Sequence, residues 1–285
     1  MSKMPLKHVT VIGAGAMGSG IAYVAAVNGY DVTVMEPTKE LVEKGLKKIK
    51  DNVIVGVNKG KLTPKQAQEI MARIKSFVDL GEAVRSADLV IEAVFEEMNA
   101  KKDVFKRADA SAPPQTILAS NTSSLSITEM ASVTKRPAQV VGLHFFNPVP
   151  AMKLVEVVMG EKTSEETRRI VDDFARSLGK EPVTVKDSPG FIVNRVLGPM
   201  LNEVVYILYE GKAVREDIDK AMVLGTNMPM GPLRLADYVG LDIALALIET
   251  LHKAFGDKYK PCPLLVEKVK AGHLGMKTGK GFYEY

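Results

Sequence analysis

A glycine-rich turn between two apolar segments constrains the fold of this chain more than any other feature. Residues 9–12 are β-branched and apolar, and residues 21–26 have the composition of a buried helix. Between them lies Gly13-Ala14-Gly15-Ala16-Met17-Gly18, and a second apolar segment at 32–35 ends on Glu36. A strand, a glycine turn, a helix, a strand and an acid in this order are typical of a dinucleotide-binding unit.

Each part of this unit has a physical role in holding a dinucleotide. Gly13 allows the tight turn, Gly15 lets the backbone approach the pyrophosphate, and Gly18 lets helix and strand pack closely. The helix N-terminus attracts the phosphates, and Glu36 can accept hydrogen bonds from the adenosine ribose. The sequence therefore predicts a cofactor site here, with a purely structural turn as the alternative.

The composition is that of an ordinary globular protein. The 285 residues are 46% hydrophobic and 25% charged, and no apolar segment is long enough to span a bilayer. The net charge of +4 is too small to indicate nucleic-acid binding. The single cysteine, Cys262, favours a reducing compartment, and the first residues do not resemble a secretory signal. We therefore expect a cytoplasmic protein with no membrane or nucleic-acid partner, and no metal site is predicted.

Predicted strands and helices alternate in the first half of the chain. Apolar strands are predicted at 87–94 and 116–119, and helices at 39–50, 63–74 and near 98–110. This alternation predicts an α/β fold with a mostly parallel, doubly wound sheet of the Rossmann type. Ligands of such sheets bind beyond the carboxyl ends of the strands.

The pattern changes after residue 139. Strands are predicted at 139–145 and 153–158, and the short proline-rich turn between them predicts an antiparallel pair. A helix is predicted to begin at Thr163, with Glu166 completing a capping box, before a last strand at 182–185. The sheet should therefore carry antiparallel additions at one side.

Helices alone are predicted after residue 187. We expect two domains, with the cofactor-binding domain at 1–187 and an all-α domain for substrate binding and dimerisation at 188–285. The apolar stripe of residues 191–208 is too wide for a helix with one buried side, which predicts a second covering surface. We expect a homodimer through this helical domain.

His144 is the histidine best placed for chemistry. It ends a predicted strand, and it is as far from Pro150 as Glu156 is on the following strand. If the two strands pair about Pro150, His144 faces Glu156, and the carboxylate can orient the imidazole for acid–base work. A slip of one residue would place them on opposite faces. A catalytic pair and an ordinary buried polar contact both fit this spacing.

Two further clusters allow two interpretations each. The residues Ser120-Asn121-Thr122-Ser123-Ser124 follow a strand and could hold a substrate oxygen. The alternative is an N-cap for a helix starting near Ser126, and we expect at least one of the five residues to cap it. Nothing in the pattern chooses among the hydroxyls. A second cluster is basic, and it is either a solvated helix face or an anchor for a phosphate-bearing substrate; its members are Lys44, Lys47, Lys48, Lys50, Lys59 and Lys61.

Five motifs together resemble the 3-hydroxyacyl-CoA dehydrogenase family, especially its short single-function members, the 3-hydroxybutyryl-CoA dehydrogenases. The resemblance covers essentially the whole chain. The motifs are Gly13 to Gly18, Ser120 to Ser124, His144-Phe-Phe-Asn-Pro148, Asp187-Ser-Pro-Gly-Phe-Ile-Val-Asn-Arg195 and Lys277-Thr-Gly-Lys-Gly-Phe-Tyr283. The resemblance implies reversible oxidation of a short-chain (S)-3-hydroxyacyl-CoA to the 3-ketoacyl-CoA, with NAD as cofactor.

The resemblance also implies roles for individual residues. His144 is expected to be the general base and Glu156 its orienting carboxylate. Ser123 is expected to bind the substrate oxygen beside the nicotinamide, and Asn194 to hold the substrate from the helical domain. Besides the glycine turn, Glu36 and Ser123, the positions that match the NAD site are Glu96, Lys101, Asn147 and Lys277. Those that match the CoA contacts, besides Ser123, are Asn52, Lys59 and, more weakly, Lys50.

Glu36 bears on the choice of cofactor. Family members commonly carry aspartate there, and the extra methylene of glutamate should preserve the ribose contact. Because a carboxylate repels a 2′-phosphate, NAD is favoured over NADP, although the neighbouring Lys39 leaves some NADP use open.

Two other functions remain as alternatives. One is a 3-hydroxyacid dehydrogenase that acts on free acids, in which a catalytic lysine of the helical domain is typical. The other is a non-catalytic NAD-binding structural protein, because a fold does not guarantee activity. The presence of Ser123, His144, Glu156 and Asn194 favours the CoA-dependent enzyme over both.

Overall fold

The computed structural model describes residues 6–285, and these divide into two compact units. The first unit extends to Asp187 and the second runs from Ser188 to Tyr285. The strands of the first unit are β1 (His8–Ile12), β2 (Asp31–Met35), β3 (Ile74–Phe77), β4 (Leu89–Glu92), β5 (Ile117–Ser120), β6 (Val140–Phe145), β7 (Leu154–Met159) and β8 (Glu181–Lys186). Its helices are α1 (Ala16–Val27), α2 (Lys39–Asn58), α3 (Pro64–Ala72), α4 (Leu80–Val84), α5 (Met98–Ser111), α6 (Ile127–Ala131) and α7 (Glu165–Ser177).

The strands of the described chain form one eight-stranded sheet in the order β3-β2-β1-β4-β5-β6-β7-β8. Neighbours from β3 to β6 are parallel, β6 and β7 are antiparallel, and β7 and β8 are again parallel. The fold class predicted from the sequence is confirmed. Strand β3 and helix α4 were not predicted. Two of the four residues of β3, Lys75 and Ser76, are exposed, which leaves little apolar pattern in the sequence.

The central strands form because their side chains are apolar and buried on both faces. On one face Val9, Val11 and Ile91 have no exposed surface, and on the other face Ile12 and Val90 are each 2% exposed. Helix α2 packs closely on the glycine turn, since a Cβ at Gly45 would lie 2.3 Å from the Cβ of Ala14. The turn is therefore held between β1 and α2.

One predicted cap is wrong. Helix α7 begins at Glu165, its N-cap is Ser164, and the Ser164 hydroxyl accepts a hydrogen bond from the backbone N–H of Thr167. The hydroxyl of Thr163 instead donates to the carbonyl of Val140 at 2.6 Å. The predicted Thr163 and Glu166 box fails because the sheet provides Thr163 with a competing partner.

The second unit is built from helices, with isolated bridges near its end. Its core lies between α8, α10, α11 and α12. Buried Asp237 holds the C-terminal segment, because its carboxylate accepts bonds from the backbone N–H groups of Phe282 and Tyr283. The helices are α8 (Val193–Tyr209), α9 (Arg215–Thr226), α10 (Pro232–Val239), α11 (Leu241–Phe255) and α12 (Pro263–Lys270). Within residues 6–285, no helix has both the length and the apolar surface needed to cross a membrane.

Candidate active site

The glycine turn leaves room for a dinucleotide at the carboxyl edge of the sheet. Gly13 has φ +92°, and a Cβ there would lie 2.7 Å from the carbonyl oxygen of Ala93. A Cβ at Gly18 would lie 1.7 Å from the carbonyl oxygen of Gly13, so both positions need glycine. At Gly15, the N-cap of α1, the Cβ position has no heavy atom within 4 Å. Open backbone at a helix N-terminus fits a pyrophosphate.

Glu36 lies directly after β2 and reaches this turn. Its carboxylate accepts a hydrogen bond from the backbone N–H of Ala14. The negative charge is therefore held beside the turn, where the ribose of a dinucleotide lies in such folds. This position suits a ribose hydroxyl and disfavours a phosphate on the same ribose.

His144 and Glu156 are paired as the strand register predicts. They are direct partners across β6 and β7, and His144 Nδ1 lies 2.7 Å from Glu156 Oε2. His144 is 4% exposed and Glu156 is fully buried. A buried carboxylate at Nδ1 fixes the orientation of the ring. The geometry is that of an acid–base histidine with its orienting acid.

The loop after β5 lies next to this pair. Asn121 Oδ1 accepts a bond from the backbone N–H of Phe145, the residue after His144, at 2.9 Å. This bond ties the loop that carries Ser123 to the end of β6.

The cap of α6 is Ser126, whose hydroxyl accepts a bond from the backbone N–H of Glu129. The expectation that a residue of 120–124 caps this helix is therefore wrong.

The carboxylate of Glu96 holds the same loop by hydrogen bonds. Glu96 Oε1 accepts bonds from the Thr122 hydroxyl at 2.5 Å and from the backbone N–H groups of Ser123 and Ser124 at 2.8 and 3.2 Å. Glu96 Oε2 lies 3.3 Å from the Nζ of Lys101. Glu96 therefore connects the loops that follow β4 and β5.

Glu92 is a site residue that sequence reasoning missed. It ends β4, is 1% exposed, and pairs with Lys101 at 2.8 Å and with the Ser120 hydroxyl at 2.6 Å. Burial raises the pKa of the Glu92 carboxyl, and the nearby Lys101 ammonium opposes this shift. The sequence signal that could have identified Glu92 is an acidic residue at the end of an apolar strand. The Lys101 side chain is also 1% exposed, so the structure places it inside the protein.

The CoA candidates lie on α2 and at its end. Asn52 is half-buried, and the exposed Lys59 follows it seven residues later, about two turns along the same face. Lys50 lies roughly 200° around the axis from Asn52. Lys50 is therefore not on the face that Asn52 and Lys59 share.

The remaining predicted site residues are Asn147, Asn194 and Lys277. Asn147 is exposed in the turn between β6 and β7. In the second unit, Asn194 is half-buried in the first turn of α8, and Lys277 pairs with Asp242 at 2.6 Å. The described residues contain no group of three or more His, Cys, Asp or Glu side chains arranged to hold a metal ion.

The chain is similar to known proteins over its whole length. It is 53% identical over 283 residues to the "Probable 3-hydroxybutyryl-CoA dehydrogenase" of Bacillus subtilis strain 168. The aligned residues cover 99% of this chain and 98% of that protein. It is 50% identical to the 3-hydroxybutyryl-CoA dehydrogenase of Clostridioides difficile, over 97% of this chain and 99% of that one.

Solved structures agree with this similarity. The crystal structure of (S)-3-hydroxybutyryl-CoA dehydrogenase PaaH1 from Ralstonia eutropha superposes with a TM-score of 0.95 at 45% identity, covering 98% of this chain and 99% of that chain. Residues 8–188 match the NAD binding domain of 3-hydroxyacyl-CoA dehydrogenase, and residues 190–285 match its C-terminal domain. The chain therefore belongs to the 3-hydroxyacyl-CoA dehydrogenase family, and its N-terminal unit binds NAD.

Proposed function

We propose that this protein interconverts (S)-3-hydroxyacyl-CoA and 3-ketoacyl-CoA with NAD, and that its substrate pair is 3-hydroxybutyryl-CoA and acetoacetyl-CoA. The observation that carries the proposal is the buried pair of His144 and Glu156 at the ligand-binding edge of the sheet. The names of the similar proteins support the four-carbon acyl chain.

His144 is the general base in this proposal. It takes the proton of the C3 hydroxyl while the C3–H bond breaks and its electron pair leaves as hydride, so a C=O bond forms at C3. Bound NAD supplies the acceptor for that hydride. Glu156 holds the ring through Nδ1 and stabilises the imidazolium that forms. In the reverse direction the imidazolium returns the proton to the oxygen.

Ser123 positions the substrate oxygen. Its loop is tied to β6 by Asn121 and to Glu96 by backbone bonds, which supports a fixed location beside His144. A fixed oxygen keeps C3 in near-attack geometry for hydride transfer. The roles of Asn194 in substrate binding and of Asn147 and Lys277 in NAD binding stay predictions.

The CoA portion is assigned to α2. Asn52 and Lys59 share one face of this helix, and a lysine ammonium is a suitable partner for a phosphate. The position of Lys50 around the axis argues against a contact with the same phosphate. NAD is preferred over NADP in this proposal because Glu36 places a carboxylate at the glycine turn.

We also propose a cytoplasmic homodimer that associates through the second unit. Large apolar side chains of this unit are exposed in the single chain, including Val196 at 68% and Leu224 at 74%. Covering them would remove apolar surface from water. The single cysteine of the sequence supports a reducing compartment.

A comparison of substrates tests the proposed function. We expect NADH oxidation with acetoacetyl-CoA, little oxidation with free acetoacetate, and weaker activity when NADPH replaces NADH. The measurement is the loss of reduced-cofactor absorbance with each substrate and cofactor. Activity on the free acid alone would favour the free-acid dehydrogenase, and NADH binding without turnover of either would favour the non-catalytic protein.

Replacing the base tests its role. His144→Gln should lower kcat by roughly 10²–10⁴-fold, because proton transfer in the transition state is lost. The dissociation constant for NADH, measured by fluorescence titration, should be unchanged. His252→Gln is a matched control, because His252 also pairs with a carboxylate, Asp257, but in the second unit. An unchanged kcat in the His144→Gln variant would exclude His144 as the general base.

Removing a charge tests the CoA assignment. Lys59→Ala should raise the KM for acetoacetyl-CoA by roughly 3- to 10-fold at low salt, because one exposed charge contact to phosphate is lost and salt screens such contacts. NADH affinity should not change. Lys65→Ala removes a neighbouring exposed lysine of α3 and should leave the KM unchanged. Equal KM values for Lys59→Ala and Lys65→Ala would favour the alternative interpretation, in which the basic cluster is a solvated helix face.

A charge introduced into the exposed apolar surface tests the dimer. Light scattering should give twice the chain mass for the native protein and a single chain mass for Leu224→Asp, because a buried unpaired carboxylate opposes association. Val78→Asp places the same charge on an exposed apolar residue of the first unit and should leave the dimer intact. A native monomer would contradict the proposal.

A further inference from the structure

Lys180 is a buried lysine between α7 and β8 that the proposed mechanism does not use. The residue is 5% exposed, and burial lowers the pKa of its ammonium. Lysine is rarely buried unless its charge has partners. Here the partners are backbone oxygens, because Nζ donates to the carbonyl of Val149 at 2.5 Å and to that of Met152 at 2.8 Å. The ammonium therefore holds one short segment of backbone.

Both carbonyls belong to the turn between β6 and β7, at residues 147–152. Val149 is the only buried residue of this turn, and the other five are exposed. The backbone N–H groups of Ala151 and Met152 donate to the carbonyl of Pro148, so these bonds stay inside the turn. The bonds from Lys180 are different, because they attach the turn to the body of the unit.

A close contact with α1 is the other attachment of the turn. A Cβ at Gly20 of α1 would lie 2.9 Å from the Cβ of Val149, so the Val149 side chain fits there because residue 20 is glycine. The same helix begins at the cofactor turn, since its N-cap is Gly15. Val149 thus meets α1 with its side chain and Lys180 with its carbonyl. The turn is held between the ammonium and the helix that starts at the pyrophosphate site.

Asn147 depends on this attachment more than the catalytic pair does. His144 and Glu156 face each other within four consecutive residue pairs of β6 and β7, the last of which joins Phe145 and Val155. Asn147 lies beyond that pair, is exposed, and makes no side-chain hydrogen bond to a described residue. The backbone of the turn therefore sets the position of Asn147, whereas the strand register sets that of His144.

We propose that Lys180 is a positioning residue for NAD binding, which fixes the turn at 147–152 against α1 and so places the Asn147 side chain for the cofactor. Asn147 follows β6 at the carboxyl edge of the sheet, where ligands of such folds bind. The inference rests on the proposed function, from which it takes the role of Asn147 in NAD binding. Lys180 itself acts only through the turn.

The test is Lys180→Met, which keeps the length of the side chain and removes its charge and its donors. We expect the NADH dissociation constant, measured by fluorescence titration, to rise by roughly 3- to 10-fold, the effect of losing about one hydrogen bond. The kcat at saturating NADH and the KM for acetoacetyl-CoA should stay within about twofold, since the register that pairs His144 with Glu156 is kept. Lys186→Met is the matched control, because Lys186 is exposed at the other end of β8; its NADH dissociation constant should equal that of the native protein.

A double-mutant cycle separates positioning from general damage. Asn147→Ala alone should raise the NADH dissociation constant by a similar factor. In the Asn147→Ala background the group that Lys180 places is gone, so Lys180→Met should add less than about twofold. Should Lys180→Met fail to fold, Lys180→Gln carries the same cycle, because its shorter neutral side chain keeps an N–H donor but cannot serve both carbonyls as the ammonium does.

Two results would overturn the inference. One is a native NADH dissociation constant in the Lys180 variant, whether or not kcat falls, because the turn would then not govern cofactor binding. The other is an equal rise in both backgrounds, which would mean that Lys180 acts without Asn147. Both leave the proposed function intact, whereas a native protein that binds NADH but does not reduce acetoacetyl-CoA would contradict the proposed function and leave these binding constants unchanged.

Discussion

The hydrogen bond between His144 and Glu156 depends on the pairing of β6 with β7, and the site depends on that bond. Both side chains are withdrawn from water, so each needs the other as its partner. A slip of one residue would turn Glu156 to the other face of the sheet and leave a carboxylate buried without its imidazole. The register that stabilises the sheet is thus the register that orients the proposed base.

Side chains at the strand ends link the loops of the ligand-binding edge to one another. Glu36, after β2, binds the backbone of the turn after β1. Glu96, after β4, binds the backbone of the loop after β5. Asn121, after β5, binds the backbone of β6. Each loop that would carry a ligand is therefore held by the strand beside it, which limits movement of groups that must stay in reaction geometry.

Several features of the site could be predicted because they depend on short sequence distances. The glycine turn is a contiguous motif, and the facing of His144 and Glu156 follows from equal distances to Pro150. The cap at Thr163 was wrong because its hydroxyl finds the carbonyl of Val140, far away in sequence. Strand β3 escaped prediction because half of its residues face water. Local patterns fail where a distant partner or an edge position decides the outcome.

The sequence by itself determined the class of fold and the cofactor turn, because periodicity and a contiguous motif specify them. It offered the pairing of β6 and β7 about Pro150 as one register, and the structure has that register. Only the tertiary structure decided which acid holds Ser123 and where Lys101 lies. Lys101 and Glu92 are nine residues apart on a helix and a strand, and their 2.8 Å contact exists only once α5 packs on the sheet. The identity of a lysine predicts a charge, and packing decides which carboxylates lie beside that charge.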